Sequence, residues 1–325
     1  DSLATGTAAV NGSVEAGREG PDGRLQVRFD RFNLQSLRLR GRPAYVRGRG
    51  LRLDVTSRSS VDLTAPVADI RASIDLPSGE VPDLRVFNPY LPADAGIAVL
   101  GGRGRVKLHW DLDGATKAGQ GRAELSSQAA RLRFQGLDID GSFALRMPMT
   151  TKDLESRRFE LGGTELSLAR ISYYNTANGN GNGNGEGKDW WARLDLPQAS
   201  ATWEEPLRLR GTGTIAMKNA DPLLLLFAPR RQFLRWFQGA LGVENVVAKG
   251  SFRLEGDALE IPALQASGGA LDLQTRMLFS KSRRVGDLLI EYGRLATGIE
   301  LRDGQRTFKL RKPREWYEES GKGFR

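Results

Sequence analysis

Apolar and polar residues alternate with a period of two through most of the chain. Leu25, Val27 and Phe29 are interleaved with Gln26, Arg28 and Asp30, and Val106, Leu108, Trp110 and Leu112 with Lys107, His109, Asp111 and Asp113. The same rhythm recurs at Leu132-Arg133-Phe134, Leu207-Arg208-Leu209-Arg210 and Leu271-Asp272-Leu273-Gln274. It places one apolar and one polar face on each predicted strand. Strands with two unlike faces belong to antiparallel sheets covered or curled on one side, not to buried parallel sheets. Turn signals at Asp113-Gly114, Asp140-Gly141, Glu255-Gly256-Asp257 and Asp303-Gly304 fall at the spacing of an all-β protein. The blocks opening at Gly121 and Gly250 share a loose pattern that agrees with a repeating meander.

Three segments interrupt the rhythm. Residues 81–92 contain Pro82, Pro89 and Pro92 and predict a short helix or an irregular connection. Residues 219–241 predict one bent helix, capped by Asn219 or Asp221, with Pro222 in its first turn and Pro229 bending it. Its apolar face would be Leu223, Leu224, Phe227, Leu234, Phe237 and Leu241. Residues 175–189 are an Asn/Gly low-complexity loop flanked by Tyr173-Tyr174 and Trp190-Trp191. Aromatics on both sides favour a long hairpin loop over a domain linker. The expectation is a mainly β chain: an elongated, curled antiparallel sheet forming one repeating unit over 1–325, with one bent helix near 219–241. A start at Asp1-Ser2 suggests a segment of a longer chain.

Composition narrows the chemistry. With 39 glycines, 14 prolines and no collagen period, the 325 residues suit many turns between strands better than a helical bundle. No cysteine is present, so the chain has no thiolate metal site, disulfide or cysteine nucleophile. Cysteine avoidance suits an oxidising compartment. Serine hydrolase chemistry would rest on the single histidine, His109. The longest wholly apolar stretch, Leu223 to Ala228, is far below the ~20 residues of a membrane-spanning helix.

Motifs of catalysis are absent: there is no Gly-x-Ser-x-Gly elbow, no Ser-x-x-Lys, no phosphate loop and no dinucleotide fingerprint. Asp111/Asp113 and Asp138/Asp140 each place two acids on one strand face, a spacing that suits Ca²⁺ or a glycosidic bond. The glycine directly after each pair makes turn chemistry the simpler reading. No metal or cofactor is expected. The net charge of +9 arises from 48 Lys and Arg, only ten of them lysine, against 39 acids. Basic clusters lie at Arg230, Arg231 and Arg235, at Lys281, Arg283 and Arg284, and at Arg306, Lys309, Arg311, Lys312 and Arg314. The first accompanies Trp236 and Phe237 on the predicted helix, which suits contact with a membrane surface or a partner. Packing of its apolar face on the sheet is the alternative. Nucleic acid is not expected, since no aromatic RNA-binding strings occur and acids are mixed through the same strands.

The phrase at residues 81–92, followed by Gly101-Gly102-Arg103-Gly104, resembles AsmA-like proteins of Gram-negative bacteria. So do Asn219-Ala220-Asp221-Pro222 with the Leu-rich stretch after it, the run from Val247 to Gly256, and the run from Leu259 to Leu273. These phrases cover about a third of the chain. The resemblance implies a periplasmic, non-enzymatic bridge-like lipid-transfer segment, its parent anchored in the inner membrane. Its partners would be phospholipid or another acyl lipid, with membrane-surface and envelope-protein contacts. Acyl chains would lie along an apolar β-groove. The groove-facing candidates are Leu132, Phe134, Phe143, Leu145, Leu166, Leu168, Leu207, Leu209, Phe252, Leu254, Leu271 and Leu273. The alternatives are a closed-core β-sandwich that binds or assembles in the envelope, and a carbohydrate-active enzyme built on the Asp pairs.

Overall fold

The computed structural model describes residues 2–17, 20–36, 44–57, 70–91, 96–175, 187–204, 207–227, 242–256 and 258–321. The chain is mainly β, as the alternation predicts. The strands are β1 (Ser2–Gly17), β2 (Gly20–Ser36), β3 (Val46–Gly48), β4 (Leu51–Ser57), β5 (Ile70–Val81), β6 (Ile97–Gly101) and β7 (Gly104–Asp113). They continue as β8 (Gly119–Phe134), β9 (Leu137–Thr151), β10 (Arg158–Glu160), β11 (Thr164–Asn175), β12 (Gly187–Thr202) and β13 (Arg208–Asn219). The last are β14 (Glu244–Glu255), β15 (Ala258–Gly268), β16 (Leu271–Phe279), β17 (Arg284–Tyr292), β18 (Leu295–Arg302) and β19 (Gln305–Lys309).

The nineteen described strands belong to one sheet, and every described pairing is antiparallel. Most strands pair with the next in sequence. Three short ones fill steps in the meander. β3 bridges β2 to β5 beside β4, β6 continues the line of β7 along β8, and β10 sits between β9 and β12. β11 and β12 pair with Tyr173 opposite Gly187, so the Asn/Gly stretch joins neighbouring strands.

The segment containing three prolines forms a 3-10 helix at Leu84–Tyr90, capped by the Asp83 carboxylate accepting from the Arg85 N–H at 3.0 Å. α1 is short, Asp221–Leu225. Its cap is Ala220, which makes no side-chain bond, while Asn219 just before it accepts from the Asp221 N–H through Oδ1 at 3.4 Å. The helix predicted over 219–241 is therefore described only through the turn at Phe227. Residues 228–241, with Pro229, Arg230, Arg231, Arg235, Trp236 and Phe237, lie outside the described residues. A further helix, α2 (Pro313–Ser320), follows β19.

Seven strand pairings separate β8 from β16. At a twist of ~20–25° per step they turn the strand direction by roughly 140–175°. The end of β8 thus reaches the far end of β16. The rings of Phe134 and Phe279 meet edge to face at 6.1 Å, and the Arg284 guanidinium donates to the Gln135 carbonyl at 3.0 Å. Inside this curl the sheet's apolar face packs against α1. Leu224 and Phe227 of that segment join Leu271, Leu273, Met277, Phe279, Leu288 and Ile290 in one core. α1 is held by Tyr173, whose hydroxyl donates to Asp221 at 3.3 Å, and by Trp190, whose indole donates to the Asn219 carbonyl at 3.1 Å.

The opposite face is covered at the same place. Trp316 of α2 lies over Gly298, where a side chain would collide with the ring. Asp287 is fully buried and ion-paired to Arg276 at 3.1 Å and to Arg302 at 2.8 Å. Arg276 lies 4.2 Å from the Tyr317 ring centroid and donates to Ser320 Oγ at 2.7 Å. Burial pushes the Tyr317 phenol above its ordinary range. With both faces covered, Val285 to Ile290 of β17 are buried without alternation.

Candidate functional site

The strand registers assemble one apolar row across ten strands. Val106, Leu125, Leu145, Leu166, Leu194, Ile215, Ala248, Ala266, Leu273 and Ile290 are successive cross-strand partners. At ~4.8 Å per strand the row runs roughly 43 Å along the sheet. A second row, Val10, Val27, Leu53, Ile74 and Trp110, extends the same face to the other end of the sheet. Directly opposite pairs of this kind are the unit by which a sheet keeps one face apolar. A slip of one residue in any strand would reverse its face.

The twelve residues expected to face a groove share this face. Leu145 and Leu166 are partners in the long row, and Phe143 pairs with Leu168 beside it. Leu132 and Phe134 continue the face beyond the bulge in β8. Leu209 pairs with Leu254, Phe252 lies opposite Gly211, and Leu207 packs with them. Leu271 and Leu273, each 1% exposed, belong to the closed core with α1 and offer no open surface. Leu254 is buried as well, and the other nine are half-buried.

The most open part of the face is one that sequence reasoning did not select. Val10 is 62% exposed and Leu25 42%, and Val27, Phe29, Leu51, Leu53 and Ile74 beside them are half-exposed. Their alternation was legible, but it carries no sign of how much covers it.

Between the open and closed ends the 3-10 segment crosses the apolar face. Leu84 packs on the backbone at Gly102 and Gly104. Asn88 exchanges two hydrogen bonds with Val99, at 2.9 and 2.7 Å. Tyr90 reaches Trp203, at the end of β12, with ring centroids 5.4 Å apart. Hydrogen bonding from Arg85 holds the Asp83 carboxyl below its ordinary range. Nearby, Trp110 lies across Gly119 and Gly121, which lack the side chains that would displace it, and meets Phe159 at 5.8 Å.

The polar face is laced with ion pairs. His109 sits 3.2 Å from Asp111 and 3.6 Å from Asp75. Asp113 accepts from the Thr116 N–H at 3.1 Å in its turn and pairs with Arg71 at 3.6 Å. Backbone hydrogen bonding from Thr116 leads the causes that lower the Asp113 carboxyl. Asp138 takes a two-pronged bond from Arg133, at 2.6 and 2.8 Å. Asp111, Asp113 and Asp138 are thus engaged by turn and strand neighbours, whereas Asp140-Gly141, predicted as a turn, lies inside β9, where Asp140 is opposite Arg131 and Ser172. Among the described residues no group of three or more His, Asp or Glu could hold a metal, and no helix is long and apolar enough to cross a membrane.

The C-terminal basic cluster is also tied into the fold. Lys309 pairs with Glu300 at 2.9 Å, Lys312 with Glu315 at 2.7 Å, and Arg314 with Glu291. Arg306 donates to the Phe227 carbonyl at 2.5 Å. No family model, no curated protein and no solved structure matches the chain.

Proposed function

We propose that the chain is a non-enzymatic lipid-binding and lipid-transfer module that holds acyl chains against the apolar face of its sheet. The observation that supports this most is the unbroken apolar row over ten strands, continued by a second row left half-open at β1–β4. A ligand there gains ~25 cal/mol per Å² of apolar surface removed from water. That attraction has no direction, so a chain can lie along the part of the row that is not sealed under α1, from the second row to Leu194 and Ile215, without meeting a polar step. The setting proposed is the periplasm, in keeping with the absence of cysteine. The partners proposed are phospholipid, a membrane surface and other envelope proteins.

A second reading is a closed-core binding or assembly module. The sealed core around Leu271, Met277 and Ile290 favours it for the C-terminal end. The exposure of Val10 and Leu25 argues against it for the N-terminal end.

Lipid extraction and mass spectrometry of the purified protein test the proposal. Leu166 and Ser167 are adjacent on β11 and point to opposite faces. Phospholipid should co-purify with the wild type and with Ser167→Asp, and be lost from Leu166→Asp that remains folded by circular dichroism. A lipid-free wild type, or equal retention by the two variants, would overturn it.

A further inference from the structure

The polar face holds a feature that no single stretch of sequence announces. A depression of about 1170 Å³ opens among β2, β3, β5, β7, β8 and the turn before β7. Five arginines line it, Arg31, Arg47, Arg49, Arg103 and Arg105, with one acid, Glu80. Glu80 is bound by Arg47 in a two-pronged bond at 3.0 and 3.1 Å. Arg31, Arg49, Arg103 and Arg105 make no ion pair among the described residues and are exposed. Elsewhere on this face Arg24, Arg71, Lys107, Arg122 and Arg253 each have a carboxylate within 4 Å. Arg52, Arg146 and Arg210 also have no carboxylate partner among the described residues, but they lie on separate strands, whereas the four arginines here are gathered around one depression.

The floor is built where the sheet steps. Register shifts fall at Leu76/Gly79 in β5, Val99/Gly101 in β6 and Ser127/Ala130 in β8. Glycine backbone carries the close approaches: a side chain at Gly48 would strike the Ser78 carbonyl, and one at Gly102 the Ala129 carbonyl. Gly102 also has φ +121, a conformation other residues rarely adopt. Bulges of this kind re-aim side chains and persist at sites. Guanidinium groups stay charged at any working pH and present paired donors that match phosphate oxygens.

We propose that this depression is a binding site for a phosphate group, recognised by Arg31, Arg49, Arg103 and Arg105. The site stands on the opposite face from the apolar rows, so it does not depend on acyl binding there. The phosphate arrives either free or as a lipid headgroup, and the test separates these sources.

Binding is measured with inorganic phosphate by calorimetry and, separately, by co-flotation with phosphatidylcholine vesicles with and without phosphatidylglycerol. The double variant Arg103→Ser/Arg105→Ser is compared with Arg24→Ser/Arg253→Ser, which removes the same charge from paired positions on the same face. The cluster variant should lose about tenfold or more in affinity, and the control about twofold or less. Since all four arginines are exposed, both variants should keep the wild-type unfolding midpoint. Binding of phosphate identifies the free group as sufficient. Binding of phosphatidylglycerol vesicles alone identifies the headgroup. No binding in either arm, or equal losses in the two variants, would overturn the site.

Discussion

Strands β16–β18 and strands β1–β4 follow the same alternation, yet they end in opposite physical states. In β16–β18 the apolar face lies under α1 and the other face under α2, and Leu271, Leu273, Met277, Leu288, Ile290 and Ile299 are sealed. In β1–β4 the equivalent face is sealed at Phe32 but open around Val10 and Leu25, with Val10 more than half exposed. The strands themselves do not decide between core and trough. The decision lies with two short helices and with the twist that brings Phe134 onto Phe279. Closure at one end anchors the fold, while the other end leaves apolar surface uncovered.

The sharpest way to break this comparison is to truncate matched residues at the two ends. Phe279→Ala empties a fully buried site and should lower stability by about 3–5 kcal/mol in chemical denaturation. Leu25→Ala, at the open end, should change it by about 0.5 kcal/mol or less. Similar losses at both ends would mean that the open face is packed after all.

The second test concerns the cover over the polar side of β17. Asp287→Ala leaves Arg276 and Arg302 without their buried partner and should cost about 3 kcal/mol or more. A loss below about 1 kcal/mol would show that α2 does not keep water from that pair.

The smallest expected effect probes the 3-10 segment between the two ends. Asp83 caps it, and Asp83→Asn should cost roughly 1 kcal/mol or less at neutral pH. The folded carboxyl lies below its ordinary range, so its contribution is present above an unfolded value of ~3.9. It is lost as pH falls through the lower folded value. The gap between wild type and variant should therefore close on acidification. A gap that widened with acid would reverse the assigned sign.

What the sequence disclosed follows from range. Period-two alternation and glycine turns are local, so the antiparallel strands and the two faces are legible in the sequence. The one-face placement of Leu145, Leu166 and Leu209 was legible for the same reason. α2 was not, because Pro313–Ser320 is only eight residues, half of them charged, behind a basic run, and its purpose comes from Trp316 meeting Gly298 across the chain. β17 departed from alternation because tertiary cover reached both of its faces. The helix predicted to begin with an Asn219 or Asp221 cap begins at Ala220, its start held by Trp190 and Tyr173 as well as by Asn219 Oδ1, which accepts from the Asp221 N–H. The arginine cluster was invisible for a related reason: its members are scattered from residue 31 to residue 105 and meet only in the folded sheet. The runs of adjacent basic residues that did attract attention near the C-terminus are engaged with neighbours.

The central claim, that acyl chains occupy the apolar face and not the polar one, is tested most directly by contact quenching. Two single-tryptophan proteins, one keeping only Trp110 on the apolar face and one only Trp316 on α2, are mixed with phospholipid brominated in its acyl chains. Strong quenching of Trp110 with little change in Trp316 is the predicted result. An unquenched Trp110, or equal quenching of both, would contradict it.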